Sequence, residues 1–316
     1  MEKQINILLV EDFDADRINI ARLLERIPLT VNLQSAVDVK SAMLLLEHQA
    51  FDCVLLDYHL PSGTGDELLE YIRYHDLPTA IIMLTGNVND SIVDECLLGG
   101  AQDFLDKGEL NEKSLSHAIA FAIKRFSIEK AIRFSALHDP LTKLANRTLF
   151  EEHLEQAFLR AQRSGRLIGL VMLDVDDFKR VNDTYGHPAG DAALLGVAQR
   201  LKNASRRNDT AARIGGDEFV LLLEGLRDAA DAQRIVQKIL SAAQQPVNCD
   251  GNEIFIEHSI GIALSEGNSD DVDQLVRQAD QALYEAKRAG KGCFRIFSGT
   301  TTKKQRKNLN TASSIS

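Results

Sequence analysis

The densest chemistry in the sequence lies at residues 213–219, Arg-Ile-Gly-Gly-Asp-Glu-Phe. Apolar runs flank it at 210–214 and 219–223, and a Gly-Gly pair between two such runs signals a hairpin, because glycine accepts the positive φ of tight turns. Gly215 and Gly216 leave bare backbone that a ligand can approach closely. Asp217 and Glu218 follow as adjacent carboxylates. Two acids beside a glycine turn suit a divalent ion carrying a nucleotide triphosphate. An isolated acidic hairpin tip is common, so the rest of the sequence must decide.

A second set of reactive types closes successive apolar runs near the N-terminus. Residues 5–10 end in Glu11-Asp12, residues 51–56 in Asp57, residues 80–84 in Thr85, and the weaker run 101–105 leads to Lys107. The acids can hold Mg²⁺, which neutralises an incoming phosphoryl group so that a carboxylate can attack it. Thr85 and Lys107 can then bind phosphoryl oxygens. This set resembles the receiver domain of bacterial response regulators, as does the loop 57–65, Asp-Tyr-His-Leu-Pro-Ser-Gly-Thr-Gly. The resemblance implies that Asp57 is the phospho-acceptor, that Glu11, Asp12 and Asp57 form a Mg²⁺ site, and that Thr85, Lys107 and Phe104 are the switch residues. Gly108 stands where the family usually has proline, which puts loop rigidity in question. His59 is a rim residue that could tune water access.

Short apolar runs alternating with helical stretches indicate a doubly wound, flavodoxin-like parallel sheet, in which ligands bind outside the carboxyl ends of the strands. Asp14 is a plausible N-cap for a first helix with Ile18, Ala21 and Leu24 on one face. Residues 115–137 contain neither glycine nor proline. Leu115, Ile119, Ala122 and Phe126 keep helical spacing, and Ile128 and Ile132 continue the stripe. A helix continuing as a stalk of roughly 30 Å is expected. Its apolar seam could pair with a twin or pack on the domain before it.

The segment 138–299 is read from several motifs together. His138-Asp-Pro-Leu-Thr-Lys-Leu-Ala-Asn-Arg147 leads in. The apolar run 168–173 ends in Asp174-Val-Asp176, followed by Phe178-Lys179, Asn182-Asp183 and Gly186-His-Pro-Ala-Gly-Asp191. Ala279-Asp-Gln-Ala-Leu-Tyr-Glu-Ala-Lys287, with Lys291, closes the series. With Gly-Gly-Asp-Glu-Phe, these motifs resemble the GGDEF family, the diguanylate cyclases. The resemblance implies an α+β fold with a central antiparallel sheet, related to nucleotide cyclases and polymerase palms. It implies catalysis by Asp174, Asp217 and Glu218, and Mg²⁺ or Mn²⁺ held by these acids with Val175. It places GTP against Phe178, Lys179, Asn182, His187, Asp191, Gly215, Gly216, Lys287 and Lys291. Asn182 and Asp191 would read guanine, since an amide and a carboxylate match its O6 acceptor and N1/N2 donors. Gly292 stands where asparagine is common. Arg206-Arg-Asn-Asp209 matches the product-inhibition motif Arg-x-x-Asp. Arginine's fork can take guanine N7 and O6 or a phosphate, and Asp209 the N1/N2 donors.

A length of 316 residues favours two domains. The expected boundaries are a receiver at 1–125, a helical linker at 126–137, the GGDEF domain at 138–299 and a disordered Ser/Thr/Asn/Lys tail at 300–316. The net charge of −10 argues against general nucleic-acid binding. No apolar run approaches the ~20 residues of a membrane span, and the start is not a signal peptide. Cys53, Cys96, Cys249 and Cys293 lack metal spacing, so reduced thiols in the cytoplasm are expected. The whole reads as a phosphorylation-controlled diguanylate cyclase, a homodimer making cyclic di-GMP and two pyrophosphates from two GTP. Its expected partners are a sensor histidine kinase or phosphotransfer protein, and cyclic di-GMP as inhibitor. The alternatives are a catalytically silent GGDEF module sensing GTP or cyclic di-GMP, and a receiver acting only through partner contacts.

Overall fold

The computed structural model describes residues 4–61, 63–86, 90–266 and 272–298. It divides into two compact units between Arg133 and Phe134. The tail expected to be disordered lies outside the described residues.

In the first unit the strands are β1 (Ile5–Val10), β2 (Val31–Ala36), β3 (Cys53–Asp57), a two-residue ladder of β4 (His59–Leu60) with β5 (Gly63–Thr64), β6 (Ala80–Thr85) and β7 (Asp103–Asp106). The sheet is parallel, in the order β2-β1-β3-β6-β7. Setting the ladder aside, this is the 2-1-3-4-5 winding, whose order reverses between β1 and β3. The apolar runs are buried because both faces are covered. Leu8, Val10, Val54, Leu56, Ile81 and Met83 join one core with α2 (Val39–His48) and α3 (Gly65–Tyr74). Ile7, Leu9, Cys53, Leu55, Ile82 and Leu84 join another with α1 (Asp14–Arg26) and α5 (Glu112–Leu137). The helix α4 (Asp90–Leu98) precedes β7.

Three local readings change. Strand β2 was not legible, because Val-Asn-Leu-Gln-Ser-Ala interleaves polar residues as an edge strand can. Its Asn32 donates to Asn6 Oδ1 at 3.0 Å. Asp14 is the first helical residue rather than the N-cap; Phe13 holds that position, and its N–H donates to Glu11 Oε1 at 3.2 Å. The inward face of α1 carries Ile20 and the expected Leu24, with Ile27 buried just past its end, whereas Ile18 is exposed.

In α5, Leu115, Ala118, Ile119 and Ala122 are buried in the first unit. Further along, Gln102 donates to Glu129 Oε2 at 3.0 Å, Arg125 donates to Gln102 O at 3.2 Å, and Arg73 lies over the Phe126 ring. Ile128 and Ile132 stay exposed. No helix among the described residues is long and apolar enough to cross a membrane.

The second unit is built on β8 (Leu167–Val175), β9 (Thr210–Gly215), β10 (Glu218–Leu226), the hairpin β11 (Val247–Cys249) with β12 (Asn252–Ile254), β13 (His258–Ser265) and β14 (Phe294–Ile296). The main sheet runs β14-β13-β8-β10-β9, antiparallel except for the parallel edge pair β13–β14. That edge makes the expected antiparallel sheet mixed. It arises because α10 (Val272–Arg288) carries the chain back to the starting end of β13. Val171, Leu173, Phe219, Leu221, Ile260 and Ile262 face α8 (His187–Ala204) and α9 (Ala229–Ala243), while Leu170, Val220, Leu222 and Ala263 face α6 (Arg147–Ser164) and α10. The short helix α7 (Phe178–Tyr185) follows β8. At Gly261 a Cβ would come within 2.2 Å of backbone atoms of Ala279 and Leu283. Glycine there lets α10 lie on the sheet, which carries Lys287 to the end of β8.

Candidate functional site

In the first unit the winding brings the loops after β1, β3, β6 and β7 to one edge. Lys107 Nζ reaches Glu11 Oε2 at 2.6 Å, Asp57 Oδ2 at 2.8 Å and Asp16 Oδ2 at 3.3 Å. Carboxylate oxygens of Glu11, Asp12 and Asp57 lie within 4.8 Å of one another, the one such acidic group among the described residues. That all-oxygen donor set fits a hard divalent cation such as Mg²⁺. Burial pulls the Lys107 ammonium down, but its bonds to Asp57 and Glu11 prevail and hold it well above its ordinary range. Burial raises Glu11, and Lys107 opposes that rise. Asp16, absent from the sequence reading, completes the ring around the lysine.

Thr85 is buried at the end of β6, and Phe104 packs partly buried against the core on the α2–α3 side. His59 is exposed, and its backbone N–H donates to Asp57 Oδ1 at 3.4 Å. A Cβ on Gly65 would sit 2.7 Å from Asp57 O, so only glycine lets α3 start against β3. Gly108 N–H donates to Asp106 Oδ1 at 2.7 Å. Proline could not make that bond, so the loop gains a tether where the family has a ring.

In the second unit, Asp174 ends β8 opposite Glu218 on β10 and opposite Ser259 on β13. Gly215 pairs with Glu218, so the turn is Gly216-Asp217, one residue later than expected. Gly216 takes the positive φ of 50°. Arg213 fastens that turn, donating to Gly216 O at 3.0 and 2.7 Å and to Asp139 Oδ1 at 3.1 Å. Asp139 also accepts from Thr142 N–H and Oγ1–H, both at 2.7 Å. Burial raises the Asp139 carboxyl, but the Thr142 and Arg213 bonds outweigh burial and hold it below the usual range. The Asp and Thr of the lead-in motif therefore brace the acidic turn.

Lys287 Nζ lies 2.7 Å from Asp174 Oδ2, and Lys291 Nζ lies 2.6 Å from Asp177 Oδ1. Both lysines expected to meet phosphates thus hold acids at the β8 end. Burial foremost raises Asp174; Lys287 opposes the rise, while Asp217 and Asp176 add to it. The acids expected to hold metal here, Asp174, Asp217 and Glu218, do not form a carboxylate group as close as that of the first unit. Val175 is packed in the core, so it can offer only its backbone carbonyl; its N–H donates to Asp217 O at 3.3 Å. Opposite it, His258 is buried, and burial followed by Arg200 pushes it down to about 4.

Asn182 on α7 packs against Gly190 on α8, next to Asp191 in sequence. A Cβ on Gly190, the residue before Asp191, would fall 2.0 Å from Asn182 Oδ1 and 3.3 Å from the Phe178 ring. Lys179, His187 and Asp191 are exposed. Away from these acids, a cavity of about 410 Å³ is lined by His138, Lys143, His153, Lys202, Arg206 and Asp209, among others. Asp209 accepts from Arg206 N–H at 2.7 Å and Glu224 N–H at 3.3 Å, so each carboxylate oxygen already has one donor. Burial first of all raises Asp209, against those bonds. Reading the sequence missed Asp16, Asp139, Arg213, Asp176 and Ser259. The first four lay in stretches already singled out, but only the fold gives them partners.

Residues 136–293 match the family profile described as "Diguanylate cyclase, GGDEF domain", half of the chain, and residues 7–120 match "Response regulator receiver domain". The bifunctional diguanylate cyclase/cyclic di-GMP phosphodiesterase MucR of Pseudomonas aeruginosa is 45% identical over 162 residues, covering 51% of this chain and 24% of MucR. Diguanylate cyclase TpbB of the same species is 39% identical over 167 residues, covering 52% of this chain and 38% of TpbB. The chain therefore spans well under half the length of these relatives. Among solved structures, the coiled coil and GGDEF domain of DgcB from Caulobacter crescentus, in complex with c-di-GMP, aligns with TM-score 0.53 at 28% identity. It covers 59% of this chain and 97% of that one. Diguanylate cyclase SiaD from Pseudomonas aeruginosa, in complex with its activator SiaC, aligns with TM-score 0.50 at 32% identity, over 58% and 71%.

Arg213→Ala should destabilise the second unit by about 3 kcal/mol, since it strands Asp139 and frees the Gly216 carbonyl. Denaturant melts at pH 7 measure this; a loss below 0.5 kcal/mol contradicts the bracing role. Because Asp139 is held below its unfolded value, its contribution is full above about pH 4 and is lost as pH falls through the folded value. Arg213→Ala should flatten that acid limb.

Proposed function

We propose, from the premise that this chain belongs to the GGDEF family and carries a response-regulator receiver domain ahead of it, that phosphorylation of Asp57 controls condensation of two GTP into cyclic di-GMP. The observation that carries the cyclase reading is the register of Asp174 against Glu218 beside an intact Gly-Gly-Asp-Glu-Phe turn. Each protomer holds one GTP, and a homodimer sets the two face to face. Asn182 and Asp191 hold the guanine edge, Phe178, His187 and the bare Gly215-Gly216 backbone shape the pocket, and Lys179, Lys287 and Lys291 meet the phosphates. Each ribose 3′-oxygen bonds to the α-phosphorus of the other nucleotide, its proton is lost, and the bond to pyrophosphate breaks. Mg²⁺ or Mn²⁺ held by Asp174, Val175, Asp217 and Glu218 would supply charge neutralisation and a more acidic 3′-hydroxyl. Nucleotide binding displaces Lys287 from Asp174 toward the phosphates, exchanging one anion for another.

In the receiver, the Asp57 carboxylate bonds to the phosphorus of a phosphohistidine on a histidine kinase or phosphotransfer protein as the N–P bond breaks; Glu11, Asp12 and Asp57 would hold the Mg²⁺ that neutralises the charge. The added charge draws Lys107 and Thr85 to its oxygens and lets Phe104 change packing. Exposed Ile128 and Ile132 on α5 support a dimer seam that this change favours. Cyclic di-GMP binds at Arg206 and Asp209 and slows its own synthesis.

Glu218→Gln should lower cyclic di-GMP formation from GTP about a hundredfold or more with the fold intact. Near-normal synthesis by that variant overturns the assignment.

Beryllium fluoride, mimicking the acyl phosphate, should raise both the dimer fraction in light scattering and the rate. If neither moves in the wild type, the receiver is not the switch.

Arg206→Ala should keep the initial rate yet abolish the slowdown as product accumulates. Equal stalling in progress curves of variant and wild type removes the inhibitory site.

A further inference from the structure

We propose that Asp176 is a positioning residue, whose buried carboxylate fastens the turn carrying Lys291 to the end of β8 and so sets how tightly the triphosphate is gripped. This rests on the GTP-binding reading above. Three acids, Asp174, Asp176 and Asp177, cluster at and just past the end of β8. Asp174 and Asp177 each have a lysine, Lys287 and Lys291. Asp176, only 8% exposed, instead takes neutral donors. Its Oδ1 accepts from Ser259 Oγ–H at 2.7 Å, and its Oδ2 from Gly292 N–H at 3.0 Å. Its own N–H donates to Glu257 O at 3.0 Å.

Burying a carboxylate on neutral donors is costly, and an apolar residue would fill the space more cheaply. What the carboxylate supplies is a fixed distance between three separate segments. It ties the β8 end to β13 and to the turn after α10. That turn needs holding: Gly290, Lys291 and Gly292 all have positive φ, at 114°, 64° and 59°. A lysine in the left-handed region persists only where its surroundings impose it. The Gly292 N–H bond to Asp176 is the restraint next to it. Lys291 then reaches Asp177, four residues beyond Lys287 at the end of α10. With the Asp176 bond lost, the turn relaxes toward negative φ, and the two ammoniums no longer stand at a fixed spacing. Preplaced cations lower the ordering cost of binding a triphosphate. Asp176 therefore acts on affinity, through the lysines, and touches no reacting atom.

The test uses the purified full chain, a fluorescent N-methylanthraniloyl GTP with Mg²⁺, thermal melts and steady-state kinetics. Asp176→Asn keeps the size and can still accept from Gly292 N–H while its N–H₂ donates to Ser259 Oγ, so what it removes is the negative charge on these bonds. It should weaken nucleotide binding about tenfold, the scale of one charge-assisted hydrogen bond. KM should rise in parallel while kcat falls by less than about threefold, the signature of a lost binding interaction. Ser259→Ala should weaken binding about threefold, and Ser259→Thr, which keeps the hydroxyl, should bind as wild type does. A merely structural role would lower kcat with the folded fraction and leave KM and the dissociation constant unchanged; that result overturns the proposal. If Asp176→Asn does not fold, the serine pair decides, and equal affinity in Ser259→Ala and wild type sinks the idea. A wild type that binds the nucleotide without making cyclic di-GMP refutes the cyclase reading but leaves the affinity comparison standing. One that binds no GTP overturns both.

Discussion

Like charges gathered at strand ends must be balanced, and the structure depends on how that is done. The Glu11, Asp12 and Asp57 oxygens lie within 4.8 Å. At that separation two full charges repel by about 3 kcal/mol in a medium of intermediate dielectric. Lys107 sits among these acids with its ammonium nearly buried. In the second unit Lys287 and Lys291 do the same for Asp174 and Asp177, and neutral donors hold Asp176. In both units a cationic side chain balances the acids at the strand ends, so each acidic cluster is stable as it stands.

The two sheets gather acids by different routes. In the parallel sheet all strands point one way, so loops after β1, β3, β6 and β7 must converge on one edge. In the mixed sheet, antiparallel register sets the end of β8 against the start of β10, so Asp174 meets Glu218 directly. Glycines then permit the closest approaches. Gly65 lets α3 meet Asp57, Gly190 lets α7 press on α8, and Gly261 seats α10 on β13. Without the last, Lys287 could not reach Asp174.

Side-chain bracing supplies what backbone register cannot. Arg213 joins the acidic turn to Asp139, just after the end of α5. Within the first unit, Arg73, Gln102, Arg125 and Glu129 tie the start of β7 to the middle of α5. Phe104, two residues after Gln102, and Lys107 lie on the same short stretch. Asp57 is thus bonded through Lys107 to the same short stretch that Gln102 ties to α5.

The sequence by itself determined the fold class of the first half, because short apolar runs ending in Glu11, Asp57 and Thr85 alternate with helical stretches, while for the second half it supplied a glycine turn at 215–216 and the motifs whose resemblance implies the rest. It also supplied the residue types a phosphoryl site and a nucleotide site require. Tertiary structure alone decided the rest. Strand β2 was hidden because an edge strand need not be apolar, and Ile18 faces solvent because short-range periodicity does not say which stripe the sheet will cover. The turn shifted to Gly216-Asp217 because pairing with β9 absorbed Gly215. That Arg213 grips Asp139, and that Asp176 binds Ser259 and Gly292, follows from segments as many as 116 residues apart in sequence brought within hydrogen-bond reach. Such pairings leave no local periodicity, since only the register of the finished sheet fixes which distant donor meets which acceptor.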